Sequence, residues 1–238
     1  MSGNGATRVD EELFDTLGAG DLPPPCPELE EELSQARPVA TRRPLSQLAL
    51  MGGLSLAYAG LLVLLLSLRR DLGALPLSWV ASYAALWLIS FVGLAYVATV
   101  PRRGEVMPRW RRAGALGAIA LVLFMVAGFA WAPAAAGLSI VHPPTFGALV
   151  DYSQRCLKLG LATAVVPVAL AALCLRGAVP TGSRWVGFAA GVAGGALGAL
   201  VVHFHCAVST PLHAGIVHTA MILAAGLIGA LVIPRVAR

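Results

Sequence analysis

The residues best suited to chemistry form one group near the C-terminal end of the chain. Four of the five histidines and one of the four cysteines fall between positions 203 and 218. The members of this group are His203, His205, Cys206, His213 and His218. Imidazole and thiolate together suit Zn²⁺ or Cu⁺, so the sequence offers a candidate site for a transition metal.

The spacing within this group matches no zinc signature and leaves three uses open. His213 and His218 are five positions apart, which is about 140° around an α-helix, so we expect that they do not share one narrow face. The side chains could cap helix ends without binding anything, could hold a metal, or could sense redox state or pH.

The composition places these residues in a membrane protein. Of the 238 residues, 58% are hydrophobic and 12% are charged, whereas soluble domains carry about 25% charged residues. Nine of the 12 acidic residues lie within the first 32 positions, and 16 of the 17 basic residues are arginines. The arginines lie mainly beside apolar runs and form no basic surface with interleaved aromatic residues, so we expect no direct nucleic acid binding.

Six apolar runs are long enough to cross a bilayer as helices. A helix is the open-ended structure that satisfies its own backbone hydrogen bonds in hydrocarbon. The sequence therefore predicts an all-α integral membrane bundle over 47–234, with a short acidic cytoplasmic extension at 1–46 and a cytoplasmic C-terminus at 235–238. The predicted spans are about 47–68, 77–100, 113–132, 157–176, 185–203 and 213–234.

The basic residues between the spans set the orientation, because cytoplasmic loops carry the excess of Lys and Arg. With the N-terminus inside, 12 of the basic residues that flank the spans are cytoplasmic: Arg37, Arg42, Arg43, the five arginines in 102–112, Arg176, Arg184, Arg235 and Arg238. Four are then external, namely Arg69, Arg70, Arg155 and Lys158. We therefore expect both termini in the cytoplasm and the His/Cys group at the outer mouth of spans 5 and 6.

This topology allows one pair of cysteines to form a disulfide. Cys156 at the start of span 4 and Cys206 at the end of span 5 would both face the outer, oxidising side. Cys26 and Cys174 would face the reducing side. The alternative is that Cys156 and Cys206 are two isolated apolar side chains.

The spans themselves carry packing signals but no catalytic ones. Gly187-x-x-x-Gly191-x-x-x-Gly195 lets neighbouring helices approach closely, so we expect span 5 at the centre of the bundle. No Asp or Glu lies well inside a span, which argues against an ion-coupled transporter. Since no catalytic arrangement can be placed either, we expect a protein that is not an enzyme.

The acidic extension contains two short segments with helical spacing of apolar residues. A stiff Pro-rich stretch at 22–27 separates them. One interpretation is a disordered acidic tail; the other is a segment that folds on a cytoplasmic partner with a basic, apolar groove. The candidate contact residues are Leu13, Phe14, Leu17, Leu29, Glu31, Glu32 and Leu33.

Four short stretches, together with the six spans, resemble a known family over most of the chain. They are the acidic tail running into Arg37-Pro38-Val39 and Arg42-Arg43-Pro44, the stretch Leu68-Arg69-Arg70-Asp71-Leu72 with Leu75-Pro76 and Trp79, the stretch Val100-Pro101-Arg102-Arg103-Gly104, and the closing His205-Cys206 with Ser209, His213 and His218. In these features the chain resembles the six-span bacterial anti-sigma factors of the NrsF type and the myxobacterial CarR-like proteins.

The resemblance implies a negative regulator that holds an extracytoplasmic-function sigma factor at the inner membrane until a signal releases it. The tail lacks the cytoplasmic His-x-x-x-Cys-x-x-Cys motif of other anti-sigma factors, so its apolar and acidic residues would bind the sigma factor without a metal. The outer His/Cys group would sense the signal, with release by conformational change or by proteolysis. The alternative function is a membrane metal- or haem-binding or redox protein that uses the same group.

Overall fold

The computed structural model describes residues 43–101, 110–130, 145–176, 183–208 and 210–236. Throughout these ranges the regular structure is helical, and six helices are long and apolar enough to cross a membrane. We number them α1 (Pro44–Leu65), α2 (Leu77–Thr99), α3 (Trp110–Ala130), α4 (Phe146–Cys174), α5 (Arg184–His205) and α6 (His218–Val236). A 3₁₀ turn (Leu72–Ala74) precedes α2, and a π-helical turn (His213–Val217) runs directly into α6. The predicted all-α class and the six long helices are confirmed.

Helix α4 begins at Phe146, well before the predicted start of span 4 near 157. Thr145 caps this start, since its hydroxyl oxygen accepts a hydrogen bond from the Ala148 amide at 3.2 Å. Charged residues such as Asp151 and Arg155 lower the hydropathy of the first turns but do not interrupt a helix. The ends of α1, α2, α3 and α5 lie within three residues of the predicted spans, and span 6 begins at His213 with the π-helical turn, five residues before α6.

Helix α5 is the centre of the bundle, as its glycine pattern predicts. Among the 18 most apolar consecutive residues of α5, 89% are buried. The corresponding share in the other five helices is 17–44%. A Cβ added at Gly191 would collide with the backbone carbonyl of Ala225 in α6, and one at Gly198 would collide with that of Gly160 in α4. Because glycine carries only a hydrogen atom in place of a side chain, the backbones of α4 and α6 can lie directly against α5.

The outward face of the bundle is apolar. Leu64 in α1 is 84% exposed, Ile89 in α2 is 71% exposed and Val165 in α4 is 62% exposed. Helix α1 is the least buried of the six. A monomeric water-soluble protein rarely exposes so many large apolar side chains side by side.

The segment 66–76 ties the end of α1 to the end of α5. The Arg69 amide donates a hydrogen bond to the Phe204 carbonyl oxygen at 2.9 Å. The imidazole of His205 donates to the Ser67 carbonyl oxygen, with Nδ1 2.7 Å from that oxygen. The turn that follows α5 is thereby fixed against the chain that leaves α1.

Candidate metal centre

Four side chains with metal-ligating atoms converge at the end of the bundle where α5 finishes. Cys156 comes from α4, Cys206 from the residue after α5, His213 from the π-helical turn and His218 from the start of α6. One ligand atom from each lies within 4.8 Å of all the others. All four are shielded, with exposures of 8% for Cys156, 7% for Cys206, 1% for His213 and 9% for His218.

The turn after α5 presents Cys206 to this group. Helix α5 ends at His205, and Cys206 adopts extended backbone while its amide still donates to the Val202 carbonyl oxygen at 2.7 Å. The next helical turn begins at Pro211, where the missing amide proton costs nothing. Thr210 caps it, since its hydroxyl oxygen accepts from the His213 amide at 3.4 Å.

The π-helical turn brings His213 and His218 together, so the prediction that they do not share one narrow face is wrong. Their ring centroids are 5.2 Å apart. In a π-helix the repeating hydrogen bond joins residues i and i+5, so residues five apart lie one above the other instead of 140° around an α-helix. Isolated π turns of this kind occur often at functional sites.

The His213 imidazole is held from both sides. Its Nε2 is 3.2 Å from the Cys206 Sγ, and its Nδ1 is 3.1 Å from the Ser153 Oγ. Ser153 orients the ring and fixes which nitrogen faces the sulfur, as partners of metal-ligating histidines do. Sequence reasoning missed Ser153, although it lies one helical turn before Cys156 and therefore on the same face of α4.

His203 and His205, which the sequence placed in the same group, lie outside the four-residue cluster. The His203 ring packs between aromatic residues, with centroid distances of 5.0 Å to Trp79 and 5.5 Å to Tyr83. His205 contacts the Ser67 carbonyl. The cluster gains instead Cys156, which the sequence had singled out only for a disulfide.

Arg69 and Asp71 form an ion pair beside the Cys206 turn. The guanidinium donates to both carboxylate oxygens, with Nε 2.7 Å from Oδ1 and Nη2 2.6 Å from Oδ2. These hydrogen bonds from Arg69 hold the pKa of Asp71 below its ordinary value of 3.8. The same guanidinium reaches the Ala207 carbonyl oxygen at 3.5 Å. The pair therefore braces the backbone next to a cluster ligand.

The donor set fits a soft or borderline metal ion. Two sulfurs each bound at 2.3 Å to one ion can be at most about 4.6 Å apart, so ligand atoms within 4.8 Å of one another need only a small inward movement. Two thiolates and two imidazoles form one of the common tetrahedral zinc sets. The same atoms suit Cu⁺.

The predicted Cys156–Cys206 disulfide stays a prediction. Both residues are free cysteines in this structure, and their sulfurs lie within the cluster. Forming the bond would require the sulfurs to close to about 2.05 Å. Metal binding and disulfide formation would use the same two thiols and exclude one another.

The predicted partner-binding residues of the tail lie outside the described part of the chain. They are Leu13, Phe14, Leu17, Leu29, Glu31, Glu32 and Leu33. Their predicted role therefore rests on the sequence alone.

Comparison with known proteins gives one family and one curated relative. The family described as "Negative regulator of sigma F" (NrsF) matches residues 31–238. The relative, the anti-sigma-F factor NrsF of Caulobacter vibrioides, is 34% identical over 195 residues, which cover 78% of this chain and 86% of the relative. No solved structure matches the chain. The matched region contains all six helices and the four residues of the cluster.

Proposed function

The chain belongs to the NrsF family of negative regulators of sigma F, and from that premise we propose that it is a membrane-bound anti-sigma factor. It holds an extracytoplasmic-function sigma factor at the bacterial inner membrane until a signal releases it. The observation that carries this proposal is the family match over residues 31–238. That match runs from the second acidic segment of the tail to the end of the chain.

The six-helix bundle is the membrane anchor in this proposal. Its apolar outer face, including Leu64 and Ile89, suits lipid and not water. The excess of arginines in one set of loops supports an orientation with both termini inside the cell. The cluster then lies at the outer end, because α1 starts inside at Pro44 and α5 finishes beside the segment that follows α1.

The N-terminal tail is the proposed binding segment for the sigma factor. Leu13, Phe14 and Leu17 form one apolar stripe at helical spacing, and Leu29 and Leu33 form a second. These side chains insert into apolar grooves of the sigma factor. Glu31 and Glu32 approach its basic surface, which speeds association and makes it sensitive to salt.

The cluster of Cys156, Cys206, His213 and His218 is the proposed sensor. These residues would hold a Zn²⁺ or Cu⁺ ion, and the bonds to it would join α4, the end of α5 and the start of α6. For a signal to release the sigma factor, it must favour one of two arrangements of the bundle over the other. Binding at a junction of three helices meets that requirement, since it ties together elements distant in sequence. A two-electron oxidant on the outer side that converts the Cys156 and Cys206 thiols to a disulfide, with loss of two protons, is a second way to bias the same junction. Proteolysis of the tail is an alternative final step.

A second candidate function uses the cluster alone. Four buried ligand atoms within 4.8 Å of one another also suit a membrane protein that carries metal or electrons and has no sigma factor partner. In that case the tail is dispensable for function.

Deleting residues 1–46 from the chromosomal copy discriminates between the two candidates. For an anti-sigma factor, sigma-dependent transcripts rise as far as they do when the whole gene is deleted, while the bundle still accumulates in the membrane. A metal or redox protein leaves those transcripts unchanged. Replacing Cys156, Cys206, His213 and His218 together by Ala tests the sensor: repression persists and induction by the signal is lost. His205→Gln is the matched control and retains induction.

A further inference from the structure

A small chamber opens directly onto the cluster of Cys156, Cys206, His213 and His218. Its walls include Trp79, Tyr83, Trp87 and His203, and it reaches Cys206 and His218, two of the four cluster ligands. The space available to a solvent-sized occupant is about 20 Å³. A buried water needs roughly 10–15 Å³ by the same measure, so the chamber accommodates about one water molecule or one bare ion. We call it the aromatic chamber.

Three buried nitrogen atoms on the wall of the aromatic chamber have no hydrogen-bond partner among the described residues. They are Nε2 of His203, Nε2 of His218 and Nε1 of Trp87. His203 is 6% exposed and Trp87 is 4% exposed. Buried polar atoms normally have partners, so this convergence on one cavity indicates that a small polar species occupies it.

The chemistry of the walls favours a metal ion that arrives with very little water. The Nε2 lone pair of a neutral imidazole is a metal ligand, and Trp87 can donate only to an acceptor such as a water molecule. The aromatic faces of Trp79 and Tyr83 attract cations. Arg69 also lines the chamber, and its ion pair with Asp71 offsets the guanidinium charge and occupies the carboxylate, which therefore offers no competing ligand.

We propose that His203 is a capture ligand: it binds an incoming metal ion in the aromatic chamber and passes it to Cys206 and His218 of the cluster. This inference rests on the proposed metal-binding role of the cluster. A capture ligand lowers the barrier between the free and the bound ion without contributing to the final bound state. His203 therefore speeds loading and release by the same factor and leaves the equilibrium affinity unchanged.

Stopped-flow absorbance with Co²⁺ and the full-length protein in detergent tests this inference. Thiolate coordination to Co²⁺ gives a charge-transfer band whose rise measures loading, and excess chelator then measures release. His203→Phe keeps the aromatic stacking with Trp79 and Tyr83 but removes the ligand nitrogen. We expect it to slow both loading and release by about tenfold or more, the scale on which groups around a metal site act. The stoichiometry and final amplitude should match the wild type.

The matched control is His205→Gln, which alters a histidine two positions away that does not line the aromatic chamber; its rates should equal those of the wild type. His203→Gln is a second variant that should also slow both rates, in case Phe perturbs folding. Loading rates of both His203 variants within a factor of about two of the wild type would overturn the proposal. So would a loss of final amplitude in correctly folded His203 variants, since His203 would then be an equilibrium ligand. Absence of the charge-transfer band in the wild type would instead overturn the proposed metal-binding function of the cluster, and the capture role with it.

Discussion

Cys206 and His213 are seven positions apart in the chain, yet the Cys206 Sγ lies 3.2 Å from the His213 Nε2. The short connection between α5 and α6 creates this contact, and the π-helical turn then adds His218 beside it. Cys156 completes the cluster from α4. A ligand at this point therefore contacts three segments at once, which is what a sensor of bundle arrangement requires.

Ser153 is expected to support metal binding without touching the metal. Its hydroxyl orients His213 from the side opposite Cys206. Ser153→Ala should weaken Co²⁺ or Zn²⁺ affinity by about 10–100-fold, as measured by competition with a chelator of known affinity. Ser82→Ala is the matched control, because the Ser82 hydroxyl bonds only locally to the Trp79 carbonyl. An unchanged affinity for Ser153→Ala would show that the His213 ring is held by other contacts.

The glycines of α5 are expected to be intolerant of a methyl group where another backbone lies against them. Gly191→Ala places a Cβ against the Ala225 carbonyl, so it should lower the free energy of unfolding by about 1–3 kcal/mol. Gly93→Ala in α2 meets nothing within 4 Å, and its better helix propensity should raise that free energy by up to about 1 kcal/mol. Thermal unfolding in detergent measures both. Equal effects would contradict the close contact of α5 with α6.

The Arg69–Asp71 pair is expected to stabilise the fold only above acidic pH. Because Arg69 lowers the folded-state pKa of Asp71 below 3.8, this contribution is fully present above the unfolded value. It is lost as the pH falls through the lower folded value. The carboxylate is partly exposed, so solvent screening limits the contribution to about 1 kcal/mol or less.

Comparing the melting temperatures of the wild type and Asp71→Asn across pH tests this dependence. The wild type should melt higher at pH 6, and the difference should vanish as the pH falls below 3.8. Glu105→Gln, distant from the pair in the sequence, serves as the control. A difference that persists unchanged into strong acid would mean that the carboxylate charge is not what stabilises the segment 66–76.

The sequence was sufficient to predict the helices, because apolar runs and glycine spacing are local features of the chain. Continuous apolar runs identified six long helices, and Gly187, Gly191 and Gly195 identified the central one. The predicted start of α4 was too late because hydropathy measures how well a segment suits lipid. The helix itself extends through charged residues such as Arg155, which do not interrupt its backbone hydrogen bonds. Thr145 is the true start signal, and its capping role becomes evident only with the helix in place.

The site was predictable only in part, since it depends on contacts between helices. Cys206, His213 and His218 were identified because they lie close in sequence. Cys156 was assigned to a disulfide and Ser153 was missed, because pairing α4 with the α5–α6 connection requires the packed bundle. The π-helical turn was also not predicted. It brings His213 and His218 together, whereas the angle between them in an α-helix would keep them apart.

The measurement that bears most directly on the proposed function is recovery of a sigma factor with the full-length protein. The tagged wild type, solubilised from native membranes, is compared with a variant in which Leu13, Leu17, Leu29 and Leu33 are replaced by Ala. The matched control replaces four tail residues off the apolar stripes, Thr7, Thr16, Leu22 and Ser34, by Ala. Mass spectrometry then quantifies sigma factors in each sample.

The anti-sigma function predicts that an extracytoplasmic-function sigma factor co-purifies with the wild type and with the control. It predicts loss of that sigma factor from the leucine variant, because the apolar stripes that insert into its grooves are gone. Equal recovery with the leucine variant would contradict the role of the tail. Recovery of no sigma factor with the wild type would contradict the anti-sigma function of this chain.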